Sequence, residues 1–347
     1  MADVSGIPCD FGRGPQPCRW LKRRPAAAEC SPVAMGRGVF SHGPMITKSS
    51  LLLLLAALPL HAQVKIEDPS AAALVSADAK IEKLAGDMKF TEGPVWIAER
   101  KALVFSDIPP GKLMQWTADK GLTEFRASEN ANGNSLDGEG RLITCQHSGR
   151  NVVRTEKDGS ITVLVDQYDG KKLNSPNDVA VKSDGTLWIT DPPYGVPAGQ
   201  KKEQDGNWVY RFDPATKKMT VVSKDFDMPN GIAFSPDEKR LYIADSGKGQ
   251  RVGAFDVKAD GTLSPAVFWM EGGSDGLRVD VKGNIYTTAS DGVRIYDPKG
   301  KRIGTIQFPE HPANCAFGGD DFSTLFVTAR TGLYAVKLKV AGHQLKK

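Results

Sequence analysis

Four residues that present hard oxygen atoms, Glu92, Asn177, Asn230 and Asp275, stand at one recurring place in a repeated pattern along the chain. Two are carboxylates and two are amides. Carboxylates brought face to face repel and raise each other's pKa unless a cation lies between them. Two acids with two amide oxygens make a donor set suited to Ca2+, Mg2+ or Mn2+. With neither thiolate nor imidazole in the set, a closed structural zinc site is not expected. A cation held there can polarise a carbonyl or lower the pKa of a water, while a nearby carboxylate takes a proton. The chemistry to expect is that of a Lewis acid with a carboxylate base beside it.

The elements that must position these residues are short strands. Runs such as 102–106, 186–190, 240–244 and 284–288 are rich in β-branched and aromatic residues, and turn pairs such as Asp184-Gly185, Pro236-Asp237 and Lys282-Gly283 precede most of them. No amphipathic helix is expected after residue 80. A longer period runs through the strands. The segments at Glu92, Asn134, Asn177, Asn230, Asp275 and Asn314 each open an apolar run, then a turn, then a strand, at intervals of 39 to 53 residues. Four strands per unit at that period is the signature of a propeller blade. The expected fold is therefore all-β, a six-bladed β-propeller with a central metal site. The strand around residues 80–89 is expected to complete the last blade. In a propeller the innermost strands begin beside the central channel, so equivalent positions converge on one axis. A turn at each anchor would explain one such residue; a scaffold has no need of four oxygen donors in one register.

Composition narrows the rest. Of 347 residues 40% are apolar and 25% charged, which excludes a fully disordered chain. Residues 1–62 carry seven basic and three acidic groups, whereas 63–347 carry 38 of each sign. The body therefore offers no net charge for gripping a polyanion, and nucleic acid is not an expected partner. Residues 51–60 form an apolar run too short to span a bilayer, preceded by Lys48 and followed by Leu60-His61-Ala62. This reads as a signal peptide over 45–62, cleaved after Ala62, with 1–44 an over-extended or disordered extension and 63–347 a single propeller domain. An exported protein, periplasmic or secreted, with no membrane contact after processing is expected; oligomeric state is not legible. Cys145 and Cys315 are too few and too far apart for a disulfide framework and are expected as free thiols.

Several segments together resemble one family. Phe90-Thr91-Glu92-Gly93-Pro94-Val95-Trp96, Phe105-Ser106-Asp107-Ile108-Pro109, Asn132-Gly133-Asn134, Leu173-Asn174-Ser175-Pro176-Asn177-Asp178-Val179 and Thr190-Asp191-Pro192-Pro193-Tyr194-Gly195 occur in order. They are similar to bacterial gluconolactonases of the senescence marker protein/gluconolactonase/luciferin-regenerating-enzyme family, over roughly residues 80–340. The resemblance implies a six-bladed propeller that opens a sugar lactone such as gluconolactone, with one divalent cation at the channel mouth. Ca2+ is the first expectation, with Mg2+, Mn2+ or Zn2+ as alternatives. It implies Glu92, Asn230 and Asp275 as metal ligands, Asn177 as a ligand or a substrate contact, and Asp275 as general base. His147 follows a cysteine as in similar gluconolactonases and is a candidate substrate contact. Asn134, at the second anchor, is another, and Tyr194 is a candidate rim or lid. Animal members carry a basic residue where this chain has Ser175, so their sugar contacts do not carry over.

Rival readings keep the fold and change the chemistry. One is a metal-dependent esterase or phosphotriesterase, and another is a non-catalytic propeller that binds a partner. Gly272-Gly273-Ser274-Asp275-Gly276 matches a nucleophile-elbow pattern, but a strand rather than a helix is expected after it, so a serine hydrolase is not. His311 and His343 have no supporting context and are expected at the surface.

Overall fold

The computed structural model describes residues 63–345. The expected extension and signal segment, 1–62, lie outside the described residues. Within them the short alternating runs are strands. Their faces are buried on both sides because every sheet is sandwiched between two others, which suits Val, Ile, Leu and aromatic residues in close succession. Thus Leu187–Asp191 is buried along its whole length, with Trp188 and Ile189 fully enclosed. The Asp-Gly turns close the hairpins: Asp184 Oδ1 accepts the Thr186 amide at 3.0 Å, and Gly185 takes the left-handed φ of +83° that the turn needs. Only two 3-10 turns break the pattern, Pro69–Ala73 and Ala98–Arg100.

Six four-stranded antiparallel blades follow in chain order. Their innermost strands are Thr91–Ile97, Ala131–Leu136, Val179–Val181, Pro229–Phe234, Leu277–Val279 and Pro312–Gly318. Each neighbours the next around the axis, and the sixth returns to the first, so the ring is closed. The closure uses the N-terminus. Ile81–Ala85 forms the outer strand of blade 6 by pairing with Gly332–Lys337, as expected from the sequence. A strand not expected, Val64–Ile66, adds a fifth strand to blade 5 by pairing with Arg302–Ile306. Apolar side chains fill the wedges between blades; Trp96 of blade 1 stacks on Phe326 of blade 6 with ring centroids 5.3 Å apart. Cys145 and Cys315, in blades 2 and 6, are buried free thiols. Among the described residues no helix is long and apolar enough to cross a membrane.

The starts of the inner strands are irregular, and the irregularity is shared. Pairing with the second strand shifts register between Glu92 and Val95, Ala131 and Asn134, Pro229 and Ile232, and Pro312 and Asn314. A bulge there releases Asn132 and Asn230 from the ladder and lets them line the channel, whereas Glu92 and Asn314 keep their strand partners at its edge. It also decides which asparagine of blade 2 belongs to the functional register. In blade 4 the bulge holds Asn230, and Ile232 resumes pairing; in blade 2 it holds Asn132, and Asn134 resumes pairing. The expectation that Asn134 occupies the second anchor is therefore corrected to Asn132.

Candidate functional site

The acidic residues that end the second strands build the loops that carry the anchors. Asp107 accepts the amides of Lys89 and Phe90, both at 3.0 Å. Asp191 accepts those of Asn174 and Ser175 at 2.7 and 2.8 Å, and Asp245 those of Asp227 and Met228 at 3.2 and 2.9 Å. In blade 2 the side-chain carbonyl of Gln146 does the same for the Glu129 amide at 2.9 Å. Each of these side chains satisfies backbone donors that would otherwise be left without partners as the chain turns into the inner strand. The glycine after most anchors has a different reason. A Cβ on Gly231 would lie 2.5 Å from the Asp275 carbonyl oxygen, which the Gly231 amide meets at 2.8 Å; a Cβ on Gly276 would lie 2.0 Å from Asn314 Oδ1. Neighbouring inner strands approach too closely for a side chain there.

So positioned, Glu92, Asn132, Asn177, Asn230 and Asp275 meet at the floor of a cavity of about 460 Å3. His147, Tyr194, Ser246, Phe90, His311 and Ser290 are among the residues that form its walls and rim. The amides make a chain: Asn132 Nδ2 donates to Asn177 Oδ1 at 2.7 Å, Asn177 Nδ2 to Asn230 Oδ1 at 2.6 Å, and Asn230 Nδ2 to Ser246 Oγ at 3.0 Å. Glu92 Oε2 accepts from its neighbour Gly93 at 2.6 Å and from Asn314 Nδ2 at 2.9 Å. Asn314 is thus a prop for the acid rather than an anchor in its own right.

The electrostatics are those of acids in excess. Burial, and then the Asp275 charge, hold Glu92 well above the ordinary carboxylate range. Burial also pushes Asp275 up to about 6, with hydrogen bonding by Asn230 pulling it back, Asp178 adding to the rise, and Arg330 and Glu92 lowering it in part. Asp178 is itself raised by burial and partly relieved by Arg278, whose Nη1 stands 3.6 Å from Oδ2, beyond hydrogen-bonding reach. The site has a use for one more positive charge, which a proton shared between Glu92 and Asp275 or a cation can supply. Among the described residues no three His, Cys, Asp or Glu side chains converge as a metal site. A cation would therefore depend on the amide oxygens beside the two acids, and two acids with flanking amides fit a hard cation by donor chemistry.

The remaining expected residues divide. His147 lies in the cavity wall, buried, with Nε2 3.0 Å from Asn132 Nδ2 and 3.2 Å from Asn177 Oδ1. Burial lowers its pKa to about 4, so it is a neutral ring at pH 7. Tyr194 stands at the rim, 47% exposed; burial and the Asp275 charge raise its phenol, and Ser246 and Asn230 partly offset them. Its loop is fastened by Ser175, whose Oγ donates to the Pro192 carbonyl at 2.7 Å and accepts the Gly195 amide at 2.8 Å. Gly195 presses on His147, where an added Cβ would lie 2.2 Å from the histidine Cβ and 2.3 Å from its ring Cγ. Asn134 is not in this cavity. Its Nδ2 faces the Gly93 carbonyl, Ser106 Oγ and the Asn132 carbonyl, and its Oδ1 accepts from Thr144 at 2.8 Å, so it is spent on tying blade 2 to blade 1. Asn132, passed over in the sequence, takes its place; the signal was the glycine after it, as in Glu92-Gly93, Asn230-Gly231 and Asp275-Gly276. His311, expected as an ordinary surface residue, is exposed but belongs to the cavity rim, and His343 lines a separate cavity at the far end of the channel.

Comparison with known proteins agrees with this fold. Residues 90–331 match the model of the SMP-30/gluconolactonase/LRE-like region. A gluconolactonase of Zymomonas mobilis is 29% identical over 306 residues, covering 79% of this chain and 85% of its own. Regucalcin of Sus scrofa is 30% identical over 262 residues, covering 70% and 84%. The structure of a Xanthomonas campestris gluconolactonase is 32% identical, covers 81% of this chain and 97% of its own, and superposes with a TM-score of 0.75. A closed ring of six blades, a bulged residue at the head of the inner strands, and this match over most of the described chain lead to one statement of kinship: the protein belongs to the SMP-30/gluconolactonase/LRE-like family.

Proposed function

We propose that the chain hydrolyses a small hydroxylated lactone, such as gluconolactone, to the open hydroxy acid, and that it does so with a divalent cation. The observation that carries this reading is the buried Glu92 carboxyl and the half-buried Asp275 carboxyl, meeting a row of asparagine amides at the floor of an open cavity. The kinship with gluconolactonases supports the reaction class. The polar floor favours a hydroxylated ring over an apolar ester or a phosphotriester.

Glu92, Asn230 and Asp275, with Asn177 beside them, are the residues that would hold the cation; Ca2+ is the first candidate, and Mg2+, Mn2+ or Zn2+ are the alternatives. When bound, the cation supplies Lewis-acid polarisation of the lactone carbonyl. The chain's own residues do the rest. Asp275, once ionised, accepts a proton from the attacking water as it adds to the carbonyl carbon. The ring C–O bond then breaks, the leaving oxygen takes up a proton, and the product is a hydroxy carboxylate. Asn177 and Asn230 hold the floor through their mutual 2.6 Å bond. His147, neutral, sets its Nε2 against Asn132 and Asn177, and Tyr194 narrows the mouth. Export is part of the same proposal. Cleavage after Ala62 would retain the Val64–Ile66 strand that blade 5 uses.

The test is hydrolysis of a panel of lactones, simple esters and a phosphotriester, with and without chelator. Hydrolysis of hydroxylated lactones that chelation abolishes and added Ca2+ restores is the expected result. Hydrolysis unaffected by chelation would remove the cation, and hydrolysis of esters or phosphotriesters alone would remove the lactone.

A further inference from the structure

Most polar atoms at the cavity floor are already engaged. The Asn177 and Asn230 amide oxygens accept from the neighbouring amides, and Glu92 Oε2 accepts from Gly93 and Asn314. Asn132 differs. Its Nδ2 donates to Asn177 Oδ1 at 2.7 Å and stands 3.0 Å from His147 Nε2. Its backbone carbonyl accepts from Ser106 Oγ at 2.6 Å. Its Oδ1 is buried and has no donor among the described residues, in a side chain that is 5% exposed and lines the cavity. A buried carbonyl oxygen without a donor gives up its hydration for nothing, so such an atom asks for a ligand. Turning the amide over would set its oxygen 2.7 Å from Asn177 Oδ1, two acceptors face to face.

Resting on the lactonase reading above, we infer that Asn132 is a specificity-determining residue whose Oδ1 accepts a hydrogen bond from a hydroxyl of the substrate ring. The bulge of blade 2 gives it this place: it turns Asn132 to the channel beside the amide chain, while Asn134 two residues on is consumed by the scaffold. The occupant must offer an O–H donor near the reacting carbonyl, which a polyhydroxylated lactone does and a bare ring does not. A ring lacking that hydroxyl leaves the oxygen buried and unpaired, so Asn132 also acts against deoxy substrates.

The experiment is a cycle of substrate and residue. Hydrolysis of gluconolactone, its monodeoxy analogues and δ-valerolactone is measured for the wild type and for Asn132→Leu, which keeps the volume and removes the acceptor. In the wild type one monodeoxy lactone should fall in kcat/KM by roughly 2- to 12-fold, the range of one neutral hydrogen bond. In Asn132→Leu that penalty should vanish, whatever happens to the absolute rates. An equal fall for hydroxylated and deoxy lactones would overturn the inference and leave Asn132 as a brace for Asn177 and His147. Binding of the hydroxylated and bare-ring lactams, measured by calorimetry on the same proteins, reads recognition without hydrolysis. If the wild type hydrolyses no lactone yet its lactam preference depends on Asn132, the lactonase reading fails and the inference stands. If lactones are hydrolysed and neither preference changes, the inference fails alone. Asn132→Ala, with thermal unfolding recorded for both variants, carries the test should the leucine variant fail to fold.

Discussion

The two ends of the central channel are made from the same six strands and could hardly differ more. At the upper end the strand heads present Glu92, Asn132, Asn177, Asn230 and Asp275. A few residues further along the same strands, Val95, Val179, Ile232, Val279 and Phe317 line a largely apolar cavity of about 250 Å3. There the C-terminal segment crosses the channel: Gly342 N donates to the Phe322 carbonyl and His343 N to the Val279 carbonyl, both at 2.9 Å. Most of the heads are bulged and held by side-chain acceptors from the second strands; the tails pair regularly. Irregular backbone is where side chains can be aimed at a substrate, and regular pairing is where packing is secured. Asp178 and Arg278 stand between the two ends, a partly exposed guanidinium 3.6 Å from a buried carboxylate.

The comparison breaks most sharply at Asp275. Asp275→Asn keeps an oxygen and the volume but removes the proton acceptor, so kcat should fall roughly 10²–10⁴-fold. The fall should persist when Ca2+ saturates the site, with bound metal quantified in parallel. Recovery of kcat at full occupancy would make Asp275 a ligand only. At the other end Phe317→Ala should act on stability instead. Phe317 packs edge-on to Tyr286 at 5.1 Å, and its loss should cost about 3–5 kcal/mol in denaturant unfolding. KM for the lactone should stay the same; a shift in KM would mean that the two ends are coupled.

A pH experiment sharpens the contrast further. Asp275 is raised in the folded chain above its unfolded value, so the folded state binds the extra proton more tightly. The stability this proton supplies is complete at pH values below the unfolded carboxylate pKa and is lost as pH rises through about 6. Chelated protein should therefore melt lower at pH 7 than at pH 5. Ca2+ should raise the melting temperature more at pH 7, where it replaces the missing proton, than at pH 5, where it must compete with it. By the same logic Glu92→Gln should stabilise the chelated protein at pH 7, on the order of 1–3 kcal/mol, while abolishing turnover. A destabilised Glu92→Gln protein would contradict the picture of crowded acids. The smallest effect is expected at Ser175→Ala. It frees the Tyr194 loop without touching the floor, so KM should rise about 2- to 12-fold, the worth of one hydrogen bond, with kcat little altered.

The strands, their turns and the sixfold repeat were legible because they follow from local chemistry. β-branched residues, Asp-Gly turns and a period of about 40–50 residues leave few other folds open. Glu92, Asn177, Asn230 and Asp275 stood out because oxygen donors recurred at one place in the repeat. Asn134 was misplaced because sequence counts residues evenly while a bulge inserts one, and a two-residue offset moves a side chain from cavity to scaffold. The aspartates ending the second strands were visible as a repeat, but their work, capping the amides of the anchor loops, joins residues sixteen to eighteen positions apart and needed the fold.

What the sequence by itself determined is the inventory: six blades, the oxygen donors, the Tyr194 loop and the family. Periodicity and residue type carry that information along the chain. What only the tertiary structure decided is which donors meet and which remain open. Glu92 and Asp275 lie more than 180 residues apart in the chain, and the fold brings them to one site where desolvation raises both acids and the Asp275 charge raises Glu92 further. Asn132 and Asn134 are the same residue type two positions apart. One lines the cavity and keeps a buried oxygen with no donor among the described residues, the other is fully bonded, and only the close packing of neighbouring blades distinguishes them.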